Sequence, residues 1–469
     1  METYESLLAA IVAETGDAST DPATDEVVGI APARTPADLD RAVAAAHAAQ
    51  PAWEALGHEK RSALLMDAAD AVERSAAALA ELISREQGKP LGGGAPSAMF
   101  EAGACAAWLR ATASIELAPE VVIDDGETYA TIEYKPVGVV GAIGPWNWPA
   151  MIAMWQIAPS LRMGNTVVVK PSEYTPLSVL ALGAILGQVL PDGVVQVLSG
   201  GRELGAAFAS HPGFGKIMFT GSTGTGKAIA RSAADHLARV TLELGGNDAG
   251  IVLPDVDPAA VAPGLFWGAF INTGQTCAAL KRLYVHEDVY DAVCDALVEV
   301  AAGAPLGHGV DDGVQLGPLT TAQQFGVVDR LVEDAKKSGA RILLGGDPDR
   351  DAPGNFYPAT LVADIAADRP LVTEEQFGPA LPIIKYRDID KAVEQANSVG
   401  VGLGGSVWSA DREKARAVAG RIQTGTVWIN QHGAVHPFVP FGGVKNSGYG
   451  VEFGVDGLKA VAVPQVING

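Results

Sequence analysis

The sequence predicts an α/β protein with two parallel-sheet units, on three observations. Short apolar strands alternate with helices through the middle of the chain. A glycine-rich turn joins one of those strands to a helix. The same rhythm returns after "LELGGN". Strands alternating with helices imply βαβ crossovers and a parallel sheet, and a length of 469 residues suits two or three domains of roughly 100–200 residues each.

The elements follow in order. "DLDRAVAAAHAAQPAWEAL" and "EKRSALLMDAADAVERSAAALAELISREQGKP" repeat apolar residues every three or four positions, which predicts amphipathic helices, and "FEAGACAAWLRATAS" reads as another. The run Gly92–Gly94 between them reads as a local loop. "ETYATIEYKPVGVVGAIGP" changes to β alternation. From Pro136 to Leu161 no residue is charged, a stretch long enough to span a bilayer. Pro145, Pro149 and Pro159 interrupt it, and Asn147 sets an amide in its middle, so a buried strand running through a loop into a helix is expected instead. Then come the strand "NTVVVKPS", the helix "PLSVLALGAILGQVL", the strands "GVVQVLSG" and "KIMFTGS", the helix "TGKAIARSAADHL", and the strands "RVTLELGG" and "AGIVL". "KRLYVHEDVYDAVCDALVEVA", "VDRLVEDAKKSGARILLGG", "PALPIIKY", "DKAVEQANS" and "GTVWIN" repeat the alternation.

The net charge is −22, from 33 basic and 55 acidic side chains. A field of that sign repels nucleic acid and anionic membranes. Three cysteines, Cys105, Cys277 and Cys294, are too few and odd in number for a disulfide framework and suit a reducing cytoplasm. The acidic N-terminus "METYESLLAAIVAETGD" lacks the basic segment of a signal peptide. No C-x-x-C or histidine-rich cluster offers metal-ligand spacing, and no metal is expected.

"FTGSTGTGKA" contains Gly221-x-x-x-x-Gly226-Lys227, close to a P-loop. That pattern needs a Ser or Thr after the lysine to ligate Mg²⁺, and here Ala228 follows. A glycine turn between a strand and a helix still binds phosphate, because free N–H groups and the helix dipole face the anion. A dinucleotide fits this turn better than a triphosphate.

Seven motifs extend the reading: "GPWNWP" with Asn147, "VVVKPSEYTP" with Lys170, Ser172 and Glu173, "FTGSTGTGK" with Gly221, Ser222 and Gly226, "LELGGND" with Glu243, "NTGQTCAA" with Cys277, "EEQFGP" with Glu375 and Phe377, and "PFGGVKNSG". In this order, and over essentially the whole chain, they resemble the aldehyde dehydrogenase superfamily. The stretches "VTLELGGNDAGIVLPDVD" and "LFWGAFINTGQTCAALKRLYVHE" resemble one bacterial branch of it, whose substrates vary.

The resemblance implies oxidation of an aldehyde to the acid with NAD, NADP being the possible alternative. It implies Cys277 as nucleophile, the Asn147 amide and the Cys277 backbone N–H as oxyanion donors, and Glu243 as the base that activates water against the thioester. Lys170 and Glu173 would meet the adenine ribose. Ser222, the glycine turn and Trp146 would meet the pyrophosphate, Glu375 the nicotinamide ribose, and Phe377 the nicotinamide. Where the family commonly carries a lysine that assists the base, this chain has Gln156; Glu452 matches a second carboxylate linked to that relay. Trp148, Met151, Trp155, Thr276, Val435, Phe438 and Phe441 are expected to line a substrate tunnel, which suggests an apolar aldehyde, aliphatic or aromatic.

The family fold implies a Rossmann-like coenzyme domain at 1–115 and 137–245, an α/β catalytic domain at 246–455, and a small β oligomerisation arm at 116–136 and 456–469. The arm should comprise strands around Thr128–Lys135 and "KAVAVPQVING", and exposed strand edges invite a second subunit, so a homodimer or homotetramer is expected. Two alternatives stand beside this reading: a CoA-acylating dehydrogenase, which has less use for Glu243, and a non-catalytic protein on the same fold, which has no use for Cys277, Glu243 and Asn147 together.

Overall fold

The computed structural model describes residues 3–92 and 97–469. Gly93 and Gly94 of the early glycine run lie outside the described residues. Helices Pro36–Ala55, Gly57–Arg74, Ala76–Gln87 and Ala98–Ser114 form the N-terminal part of the molecule. The second apolar repeat, expected as one continuous helical stretch, is therefore two helices. They part at Ser75, whose ψ of 2° departs from the helical value; a repeat of apolar residues continues through such a kink and cannot reveal it.

A six-stranded sheet follows. Its order is Gly448–Tyr449, Arg239–Leu244, Lys216–Gly221, Val139–Ile143, Thr166–Lys170, Val195–Val197, and all neighbours are parallel except the first pair. Val139–Ile143 comes first in the chain among these strands, and Lys216–Gly221 fourth. Between them the strand order reverses, and in open α/β sheets the crevice outside the carboxyl ends at such a reversal is where ligands bind. The central strands Val139–Ile143 and Thr166–Lys170 are short, buried along their whole length and mostly apolar, because both faces are covered.

The seven-stranded sheet has the order Arg341–Leu344, Thr360–Ala363, Ala380–Tyr386, Leu280–His286, Asp248–Val252, Gly404–Trp408, Thr426–Ile429, with only the first pair antiparallel. The chain passes from the first sheet to the second across Gly245–Asn247, so the segment after Glu243 bridges the two.

The uncharged stretch resolves into the strand Val139–Ile143 and the helix Pro149–Arg162, every residue of which is buried. Its lack of charge reflects burial on all sides. Among the described residues no helix is long and apolar enough to cross a membrane. A three-stranded sheet pairs Tyr129–Pro136 with both Glu120–Asp124 and Ala462–Asn468. Its last strand begins at Ala462, because Lys459 and Ala460 finish the helix Gly454–Ala460.

Candidate active site

One cleft of about 1030 Å³ opens at the point where the strand order reverses, and its walls include Trp146, Asn147, Lys170, Ser172, Glu173, Gly221, Ser222, Glu243, Cys277, Glu375 and Phe377. Residues scattered over more than two hundred positions meet there because strand ends and the loops after them converge. Gly226 is the exception: it faces away from the cleft, and a Cβ at that position would lie 2.5 Å from the Leu244 side chain. It serves close helix–strand packing, whereas Gly221, Ser222, Gly224 and Thr225 face the cleft.

The glycine turn is built as a helix start. Ser222 is the N-cap of the helix Thr223–Ala234, its hydroxyl accepting from the Thr225 N–H. The remaining first-turn N–H groups are left for an anion. Further along the cleft, Glu173 Oε2 would lie 3.4 Å from a Cβ at Gly201, the residue that precedes Arg202 and its helix. Lys170 Nζ donates to the Pro171 carbonyl at 3.0 Å, and burial lowers its pKa against the pull of Glu173. Arg202 and Gln324 also line the cleft; sequence reasoning passed over both. Phosphate-facing N–H groups, an acidic side chain near one end and the Glu375 carboxylate near the other are donors and acceptors suited to a dinucleotide.

The segment leading to Cys277 is strained. Asn272, Thr273 and Gly274 are consecutive left-handed residues, with φ of 52°, 55° and 75°. That conformation is unfavourable for a β-branched threonine. Thr273 Oγ1 offsets it by donating to the Gly317 carbonyl at 3.1 Å and accepting from the Gly317 N–H at 3.0 Å. Gly274 is required, since a Cβ there would meet the Gly378 carbonyl at 2.3 Å. Gln275 is held by Thr320 N–H and by the carbonyls of Asn272 and Pro318. The Asn147 side-chain amide donates to the Gln275 carbonyl at 2.9 Å, which ties the "WNW" turn to this segment.

Two further residues hold that turn. Lys89 Nζ donates to the Asn147 carbonyl at 2.9 Å and to Glu101 at 2.5 Å, and it lies 3.5 Å from the Trp148 ring centroid. The other Glu101 oxygen accepts the N–H groups of Ala150 and Met151, the start of the helix Pro149–Arg162. Both side chains are completely buried. The sequence signal for them was available: Lys89 ends an apolar helical run and Glu101 sits within another, where a lone charge needs a partner.

Cys277 is partly exposed in the cleft. Burial pushes its thiol up to about 12; Lys281 pulls it down, and the carboxyl groups of Asp248, Glu243 and Glu375 oppose Lys281. Glu243 is 5% exposed and neither of its oxygens has a hydrogen-bond donor. Burial, reinforced by Glu452, holds its carboxyl well above the usual range. Glu452 is pushed up to about 8 by burial, with Lys216 acting against this. Gln156 donates to Thr220 Oγ1 at 3.3 Å, and Thr220 is the register partner of Glu243. Phe377, also left-handed at φ 45°, meets Trp146 edge-on at 5.4 Å.

The expected tunnel residues divide. Trp148 Nε1 donates to Thr276 Oγ1 at 2.9 Å, next to Cys277 in the chain. Met151, Trp155 and Phe441 are nearly buried, Val435 is half-buried, and Phe438 is exposed. Trp155 and Phe441 pack on Phe453, and Trp155 also on Trp108, at centroid distances of 4.8–6.1 Å. An aromatic side chain on a fully buried helix is as well explained by packing as by substrate, and for Trp155 packing is what the structure provides.

Comparison with known proteins agrees with this geometry. Residues 12–467 match the aldehyde dehydrogenase family. The chain is 39% identical over 439 residues to aldehyde dehydrogenase LUC3 of a Fusarium species, covering 93% of this chain and 92% of that protein. It is 37% identical over 456 residues to the phenylacetaldehyde dehydrogenase of Pseudomonas fluorescens, covering 93% and 89%. An NAD⁺ complex of an aldehyde dehydrogenase from Bacillus cereus superimposes with a TM-score of 0.94 at 32% identity, covering 99% and 98%. With fold, cleft and likeness in agreement over nearly the whole chain, the protein belongs to the aldehyde dehydrogenase family and is an oxidoreductase that oxidises aldehydes with a nicotinamide dinucleotide.

Proposed function

We propose that the protein oxidises an apolar aldehyde to its carboxylic acid through a covalent intermediate on Cys277. The observation that carries the reading is the convergence of Cys277, Asn147 and Glu243 on one cleft wall system that also holds Glu375, Phe377 and the Ser222 turn. The Cys277 thiolate attacks the carbonyl carbon. One hydrogen of the Asn147 amide is engaged by the Gln275 carbonyl, and the other, with the Cys277 backbone N–H, stabilises the oxyanion. A bound oxidised nicotinamide supplies the hydride acceptor. Glu243 then takes a proton from water, which attacks the thioester and releases the acid. A carboxyl group in the cleft favours hydrolysis over transfer to CoA.

Glu375 is the proposed ligand of the nicotinamide ribose and Phe377 of the ring; Lys170, Ser172 and Glu173 serve the adenosine end, and Trp146, Gly221 and Ser222 the pyrophosphate. Glu173 favours NAD, because its carboxylate accepts from ribose hydroxyls and repels a 2′-phosphate. Equal or higher kcat/KM with NADP would refute that preference. The proposed division is a coenzyme domain at 1–115 and 137–245, a catalytic domain at 246–455, and an arm at 116–136 and 456–469 that pairs with another copy in the cytoplasm. Exposed Val121, Val122, Ile123, Val466 and Ile467 on the three-stranded sheet support such pairing.

The test of the reaction is a pair of variants. Cys277→Ala is expected to give no adduct and no hydride transfer. Glu243→Gln is expected to release up to one NADH per site and stall as an acyl-enzyme, seen by mass on the Cys277 peptide. Steady turnover by Cys277→Ala overturns the reading.

A further inference from the structure

We propose that Lys281 is a positioning residue for the nucleophile: its buried ammonium clamps the Thr276–Cys277 backbone to Glu375 and supplies the positive charge against which Cys277 ionises. The inference rests on reading Cys277 as the nucleophile.

Lys281 is the second residue of the strand Leu280–His286, which follows the strained segment and Cys277 in the chain. Its side chain is 1% exposed. Nζ donates to the carbonyls of Thr276, at 3.0 Å, and Cys277, and it lies 3.0 Å from Glu375 Oε1. An ammonium has three hydrogens, and these three acceptors match them. The same Glu375 oxygen accepts the Gly246 N–H at 3.2 Å. The ammonium is also 5.7 Å from the Phe377 ring centroid. One cation therefore joins the nucleophile segment, the bend after Glu243, and the loop that carries Glu375 and Phe377.

Among the described residues no other side chain in this cluster offers Cys277 a cation. The titratable groups facing it are Glu243 from the first sheet, Asp248 from the second, Glu375 from its loop, and Lys281. Asp248 is buried with neither oxygen hydrogen-bonded, and its nearest cation-forming neighbour is His432, whose Nε2 is 3.6 Å away. The neighbouring Arg282 is turned to the carbonyls of Asn247, Gln395 and Ala396. Without Lys281, the thiol would ionise among three carboxyl groups alone. Its downward pull on the thiol, against burial, agrees with the geometry.

The test is alkylation of the full-length protein by iodoacetamide from pH 6.5 to 9.5, read by mass on the Cys277 peptide without aldehyde. The thiolate is the species that reacts. A loss of about one pKa unit of stabilisation gives about tenfold less thiolate, partly offset by greater intrinsic nucleophilicity, so a net slowing of about threefold is expected below the midpoint. Lys281→Met and Lys281→Gln should both slow by this amount at every pH. Gln keeps a hydrogen-bond donor and loses the charge, so equal slowing in the two assigns the effect to charge, and slowing in Met alone overturns the charge role. Folded variants that react at the parental rate overturn the proposal entirely. Glu375→Gln keeps Lys281 and removes its counter-ion, so it should speed alkylation severalfold. If the Lys281 variants do not fold, this sign decides, and unchanged or slower alkylation overturns the proposal. Steady turnover by Cys277→Ala would overturn the nucleophile assignment separately, since the alkylation rates need no aldehyde chemistry.

Discussion

The two sides of the cleft are built differently. Around Cys277 and Asn147 the polar groups are mostly tied down, Asp248 being an exception: Lys89, Glu101, Gln275, Thr273 and Lys281 each make at least two hydrogen bonds. Around Glu243 they are not. Both Glu243 oxygens, Glu452 Oε1 and Gln156 Oε1 are buried without a donor. An unpaired buried carboxylate is costly and tends to stay protonated. A nucleophile and an oxyanion donor must be held in one geometry. A base that collects a proton and passes it on must be able to change its hydrogen-bond state. On the proposed mechanism, the bonded side fixes positions and the unbonded side moves protons.

The largest expected effect tests the unbonded side. Glu243→Gln should lower steady turnover by about 10²–10⁴, the usual worth of a general base, while the first hydride transfer survives. Stopped-flow absorbance separates the burst from turnover, and a burst lost as fully as turnover would mean that Glu243 is also needed to ionise Cys277. On the bonded side, Asn147→Ala should cost about 10²–10³ in kcat, as for one oxyanion donor, with KM for the aldehyde little changed. A loss confined to KM would mean that Asn147 only binds substrate.

Lys89→Met challenges the idea that rigidity on that side is built from a buried ion pair. It leaves Glu101 buried without its partner, which is destabilising by about 3–5 kcal/mol. Chemical denaturation measures the change, and a loss below 1 kcal/mol would show that the pair is not what holds the "WNW" turn.

The smallest effect concerns pH. The Glu243 and Glu452 carboxyls are raised by burial, Glu452 to about 8, so each base form grows as pH rises above the usual carboxylate range. The pH profile of kcat should accordingly rise from neutral toward pH 9 and fall on acidification, because thioester hydrolysis follows hydride transfer. Gln156→Lys places a cation near Thr220 and Glu243, favours the charged carboxylate, and should move this acid limb down by about half to one unit. An unmoved limb would separate Gln156 from the relay.

The chemistry was more legible in the sequence than its support. Cys277, Glu243, Asn147 and the glycine turn stand in short motifs because a reacting group needs particular neighbours along the chain: small residues where backbone approaches a ligand, a strand end before a turn. Lys89 and Glu101 act on the turn through partners far away in the chain, Lys89 and Asn147 being 58 residues apart, and Lys281 joins its nearby carbonyls to the distant Glu375. Nothing local marks such a pair beyond a charge in an apolar run. The tunnel residues are harder to read, since an aromatic beside the site has the same local pattern whether it faces substrate or, like Trp155, packs on Phe453.

By itself the sequence determined the alternation of strands and helices and the two large sheets it builds, because periodicity is a local property, and its motifs pointed by resemblance to the residues proposed to carry the reaction. Tertiary structure decided which of those residues share the cleft, that Gly226 packs on Leu244 instead, and that three left-handed residues lead into Cys277. It also decided the proton affinities. A carboxyl or thiol has an ordinary pKa in an open chain, and only burial beside Glu452, Asp248 or Lys281 gives Glu243 and Cys277 their shifted values. Desolvation and through-space charge depend on what folds against a group, and no single stretch of sequence contains that information.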